Sequence, residues 1–135
     1  MSSASVTSRC KAVTRALTES AFSERRDESD AFQALYELRR LQRVVSSELK
    51  GFVALVVPTI PTIFTIEEML AEPMKRNTIM GTYTCFVNPL DLCAVSVPGV
   101  GRDDGLPSAL CFVGAAGEDG ALRTIAHRFE GRPTP

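Results

Sequence analysis

Between Asp30 and Lys50 the apolar residues Phe32, Leu35, Leu38, Leu41, Val45 and Leu49 recur at intervals of three and four, which predicts a helix with one apolar face. Arg39, Arg40 and Arg43 fall on its other faces, the position of an ordinary solvated charge run. Asp27, Ser29 or Asp30 is placed to cap its first amides, and Gly51 stands where a helix commonly stops. The period then breaks. Phe52 to Val57 is a run of apolar residues without alternation, ended by Pro58, and predicts a strand covered on both faces. With prolines at 58 and 61, the following TIPTIFT is expected to leave the strand end as a loop.

Thr65 and Glu68 form a T-x-x-E capping box, so Ile66 to Ala71 reads as a short helix that stops before Pro73. Asn77 is expected to cap the next helix, with Ile79, Met80, Tyr83, Phe86 and Val87 on its apolar face. Gly81 inside that helix costs about 1 kcal/mol relative to Ala, which suggests close packing against another backbone. Pro89 should interrupt the helix at Asn88. Ala94 to Val97 reads as a strand closed by Pro98, and the turn at Asp103 to Gly105 leads to a second strand, Ser108 to Val113. A last helix begins at Glu118 or Asp119, carries Leu122, Ile125, Ala126 and Phe129 at helical spacing, and ends at Gly131 and Pro133.

Ahead of these elements, Val6, Val13, Leu17 and Phe22 are too scattered among Ser, Thr, Arg and Glu to bury a face. The chain therefore divides into an irregular or weakly helical segment, 1–29, a folded part, 30–130, and a tail, 131–135. The expected class is α/β, with a mixed β-sheet of about three strands flanked by helices. At 135 residues it fits one domain and can bury roughly two thirds of its unfolded surface.

Composition removes several functions. Lys and Arg number 15 against 16 Asp and Glu, a net charge of −1, so no field attracts nucleic acid or an anionic membrane. No apolar run approaches the ~20 residues of a membrane span, and no signal-peptide segment is seen at the N-terminus, so the expected location is the cytoplasm. Cys10, Cys85, Cys93 and Cys111 are widely spaced, with no C-x-x-C pair, and His127 is the single histidine. Buried, reduced thiols are the expectation for the cysteines, a solvated helix position for His127, and neither a metal nor a cofactor is implied.

The stretch Asn77 to Pro107, NTIMGTYTCFVNPLDLCAVSVPGVGRDDGLP, resembles the C-terminal part of the amidase-signature hydrolases, and among them the allophanate hydrolases. The family segment reads much like N-x-x-x-G-x-Y-T-x-F-V-N-x-x-D-L-C-A-x-x-V-P followed by D-G-L-P. DAFQALYELRR and PTIPTIFT extend the resemblance upstream, and it covers roughly Asp30 to Glu130. Pro89, Val100, Gly101, Ser108, Ala109 and Cys111 depart from the pattern, while Gly114 keeps it. The resemblance implies amide C–N hydrolysis by a serine nucleophile, a second serine in a cis peptide, and a lysine.

The G-G-S-S-G-G type of loop that presents the serines does not occur in this sequence, and none of Lys11, Lys50 and Lys75 precedes one. The Y-x-G-P-W type of segment that holds the substrate carboxylate in allophanate hydrolases is absent too. No catalytic residue is therefore assigned. The loop after the first strand lies where α/β sheets bind ligands, which makes Thr62 and Phe64 candidate substrate-binding residues. Two readings follow: a segment of an amidase-signature hydrolase that is inactive alone, or a non-catalytic interaction protein. In the second, the chain associates with itself or with a separate N-terminal amidase half.

Overall fold

The computed structural model describes residues 28–131. Helix α1 (Glu28–Leu49) is 22 residues long and ends as expected: Gly51 adopts a left-handed φ of 90°, and the Phe52 amide donates back to the Leu49 carbonyl at 3.0 Å. The residues expected to cap its start lie outside the described side chains. Only its second half packs on the sheet. Val45 and Leu49 are buried and Leu38 and Leu41 half-buried against the core, whereas Phe32, Leu35 and Tyr36 stand exposed.

Strands β1 (Leu55–Pro58), β2 (Leu92–Pro98) and β3 (Ala109–Ala115) form one sheet in the order β1-β3-β2. Both ladders are antiparallel, where a mixed sheet was expected; the β2–β3 hairpin accounts for one ladder, and β1 joins the free side of β3. The middle strand separates two cores. On one side Cys111 and Val113 pack with Val57 of β1, with Val45 and Leu49 of α1, and with Phe86, Val87 and Leu90. On the other, Phe112 packs with Val97 and with Leu122 and Ala126 of α4 (Asp119–Phe129). The rings of Phe112 and Phe129 meet edge to face at 5.5 Å.

The run from Phe52 to Val57 is shorter as a strand than the sequence suggests and is not covered on both faces. Helix α4 packs chiefly on β2 and β3, and Val56 of β1 is 49% exposed, with Phe52 and Val53 exposed ahead of it. An unalternating apolar run records what a strand is able to bury, and here only the α1 side supplies a cover.

The capping box forms as read. Helix α2 (Ile66–Ala71) opens with the Thr65 hydroxyl accepting from the Glu68 amide at 3.2 Å, and the Glu68 carboxylate accepts from the Thr65 amide at 2.8 Å. The next helix differs. Helix α3 (Pro73–Met80) starts four residues ahead of Asn77, with Pro73 in its first turn, where a missing amide costs nothing. Gly81 ends it, and a side chain there would meet only Cys85 Cβ at 3.7 Å, so no close backbone approach requires the glycine. From Gly81 the chain continues as a short 3₁₀ turn, Gly81–Tyr83, and then as linked turns to Asp91, so Phe86, Val87 and Leu90 reach the core from turns and not from a helix face.

Leu122, 1% exposed, fills the space over Gly114, where an added Cβ would stand 3.2 Å from Leu122 Cδ2. Leu122→Ala should lower unfolding stability by about 2–5 kcal/mol through the cavity it leaves. Gly114→Ala should cost about 1–3 kcal/mol by overpacking. Urea midpoints of the double mutant test the contact directly: Gly114→Ala should cost less once Leu122 is Ala, and strict additivity would count against it.

Candidate functional site

Because β1 and β2 both pair antiparallel with β3, they run parallel to each other and finish at the same end of the sheet. Pro58 lies opposite Leu110 and Pro98 opposite Ala109. Proline has no amide to continue a ladder, so both chains leave the sheet at one level, and the loop after β1 faces the connection between β2 and β3. Between them lies a hollow of about 400 Å³, lined among others by Ile60, Thr62, Val100, Arg102 and Ser108.

Its walls are fixed by short-range contacts. The Thr59 amide donates to the Ala109 carbonyl at 3.0 Å, and the Thr59 and Ser96 hydroxyls share a hydrogen bond of 2.8 Å. Across the mouth, the Gly99 amide donates to the Ser108 carbonyl at 2.8 Å and the Ser108 hydroxyl donates to the Val100 carbonyl. A Cβ on Gly99 would fall 2.5 Å from Ser108 Oγ and 3.3 Å from the Ser108 backbone, so this closure needs glycine. Arg102, which lines the hollow, is itself held from behind: it pairs with Asp104 at 2.6 Å, Asp104 accepts from the Leu106 amide at 3.1 Å, and Gly105 takes a left-handed φ of 73°.

Of the two residues named from the sequence, Thr62 lines the hollow. Phe64 lies outside that lining, with the Arg76 guanidinium over its ring at 4.7 Å from the centroid. Arg76 also stands 3.9 Å from Glu68 and 3.7 Å from Glu72, so Phe64 ties the loop to α2 and α3. Arg102 and Ser108 were read only as turn and strand residues. Their place opposite Thr62 depends on β1 pairing with β3, a contact between segments some fifty residues apart that no local pattern encodes.

The other candidates are dispersed. Lys75 pairs with Glu72 at 2.9 Å, Lys50 lies beyond the other end of the sheet at the end of α1, and Lys11 lies outside the described residues. Cys85, Cys93 and Cys111 are free thiols, as expected, but only Cys111 is buried, and its burial pushes the thiol pKa up. Cys85 is exposed because it sits in the turns that replace the expected helix, and Cys93 donates to the Ala115 carbonyl. His127 is half-buried on α4 with Nδ1 enclosed, in place of the solvated position expected for it. Among the described residues, no three His, Cys, Asp or Glu side chains come together to hold a metal ion.

The Arg102 hydrogen bonds, followed by the Leu106 amide, hold the Asp104 carboxyl down to about 2. A carboxyl lowered on folding favours the folded state above its ordinary range, near 3.8, and loses that contribution as the pH falls through about 2. In a side-chain NMR titration, Asp104 should have its midpoint near 2, and Arg102→Ala should return it towards the ordinary value. An unchanged midpoint in that variant would remove the ion pair as the cause.

No family model matches the chain. Individual proteins do. It is 39% identical over 103 residues to urea amidolyase of Lachancea kluyveri and 37% identical over 100 residues to urea amidolyase of Saccharomyces cerevisiae, covering 76% and 74% of this chain but only 6% and 5% of those proteins. A glutamyl-tRNA(Gln) amidotransferase subunit from an Exiguobacterium strain is 40% identical over 80 residues, 57% of this chain and 16% of that one. Among solved structures, Kluyveromyces lactis allophanate hydrolase superposes with a TM-score of 0.71 at 39% identity, covering 77% of this chain and 17% of that chain. The corresponding amidotransferase subunit from Thermotoga maritima superposes at 0.57 with 27% identity, covering 93% of this chain and 30% of that one. In sequence and in fold, the chain is a segment of the amidase-signature family, similar over about three quarters of its length to allophanate hydrolase.

Proposed function

We propose that this chain forms the C-terminal part of an amidase-signature domain that hydrolyses an amide C–N bond of the allophanate type, in urea nitrogen metabolism in the cytoplasm. The nucleophilic serine, its serine partner and the lysine belong to the remainder of the domain, and the chain alone is inactive. The observation that carries this reading is the coincidence of 39% identity and a TM-score of 0.71 over the same share of the chain. Its role is to supply a sheet edge and the wall of a pocket, with Thr62 against the substrate and Phe64 holding the loop through Arg76. No described helix is long and apolar enough to cross a membrane.

The uncovered apolar residues support a second reading, in which the chain is a non-catalytic interaction protein. Val56 of β1 and Phe52 and Val53 ahead of it are exposed, and Phe32, Leu35 and Tyr36 are exposed on α1, a surface of the kind that associates with another copy or with an N-terminal amidase half.

Ammonia release separates the two. The isolated chain should release ammonia from allophanate no faster than buffer. Residues 30–130, exchanged for the matching segment of Kluyveromyces lactis allophanate hydrolase, should keep kcat/KM within about tenfold, a loss of at most about 1.4 kcal/mol in transition-state binding. In that chimera Thr62→Val should raise KM more than it lowers kcat. A folded but inactive chimera would sink the amidase reading, as would turnover by the isolated chain.

A further inference from the structure

Beyond the far end of the sheet from Thr62, a second and larger hollow of about 610 Å³ lies between α1 and the chain at Leu90 to Leu92 and Ala115. Three cations line it, Arg39, Arg43 and Lys50, against one carboxylate, Asp91, for a net charge of +2. Other cations of the fold are paired, among them Arg40 with Glu37, Lys75 with Glu72 and Arg102 with Asp104. Arg43 and Lys50 have no ion-pair partner among the described residues. Arg39 is held in place by a neutral group, since its Nη1 donates to Gln42 Oε1 at 3.1 Å while Gln42 Nε2 donates to the Pro89 carbonyl at 2.8 Å. Gln42 thus ties the guanidinium to the turn at Pro89, and no carboxylate among the described residues pairs with it.

We propose that this hollow is a docking groove for an extended acidic peptide segment. The spacing favours a chain over a single small anion. At 1.5 Å per residue along α1, Arg39 and Arg43 are about 6 Å apart and Arg43 and Lys50 about 10 Å. An extended peptide rises about 3.3 Å per residue and presents every second side chain to one face, so carboxylates two residues apart span the first interval, and carboxylates four apart span about 13 Å, which the long Arg43 and Lys50 side chains bridge to the second. Each exposed pair contributes little by itself, and the groove binds through three at once. The inference does not depend on the amidase reading, because none of these residues belongs to the Thr62 hollow.

The probe is a fluorescein-labelled synthetic peptide with glutamates spaced two and four residues apart, titrated with the full chain at low salt and followed by anisotropy. Saturable binding is expected, weakening as salt is added. Arg39→Ala, Arg43→Ala and Lys50→Ala together should weaken it by about tenfold or more. Arg123→Ala with Arg128→Ala, a loss of two charges on α4, should leave it within about twofold. Gln42→Ala should weaken binding without removing a charge, which bulk electrostatics does not explain. Circular dichroism of each variant excludes unfolding, since the three cations are exposed or lie at the helix surface. The proposal is overturned if the peptide does not saturate the chain, if the two charge-loss variants weaken binding equally, or if inorganic phosphate or a short oligonucleotide of equal charge competes as well as unlabelled peptide.

Discussion

The pairing of β3 with a strand on each side is the constraint on which the rest of the structure depends. Its residues alternate between two cores: Cys111 and Val113 face α1 and the turns that carry Phe86 and Leu90, and Phe112 faces α4. Val113 is completely enclosed. Each such side chain contributes on the order of 1.5–3 kcal/mol of apolar burial, so the strand concentrates stabilisation that the outer elements share. The helices do not support one another across the sheet. They are joined through the strand that both of them touch.

That dependence explains which parts of the fold were legible in the sequence. Elements fixed by local chemistry appeared within a few residues of where they were read: α1 from its three- and four-residue spacing, the stop at Gly51, the Thr65–Glu68 capping box, and α4 from Leu122, Ile125 and Ala126. The stretch after Asn77 misled because Tyr83, Phe86 and Val87 continue the helical period of Ile79 and Met80 while the backbone from Gly81 runs through turns, which bring Phe86 and Val87 into the core with Val45 and Leu49. The same limit applied to the candidate site. Thr62 was reachable from the rule that loops at strand ends line pockets, whereas Arg102 and Ser108 become its neighbours only through the order β1-β3-β2.

The two sides of the molecule carry different kinds of unmet surface. Around β1 it is apolar, with Phe52, Val53 and Val56 open to solvent, and its coverage would be driven by area. Along α1 above Asp91 it is cationic, and interactions there depend on spacing and ionic strength. A remainder of the amidase domain would suit the first. The second asks for a different chemistry.

Pro58 and Pro98 close the two outer strands against adjacent residues of β3. Their common level acts as a hem: residues on the sheet side are bound to a register, and residues beyond it are not. Length changes in the loops after either proline would therefore alter the depth and reach of the Thr62 hollow while the strand alignment stays where it is.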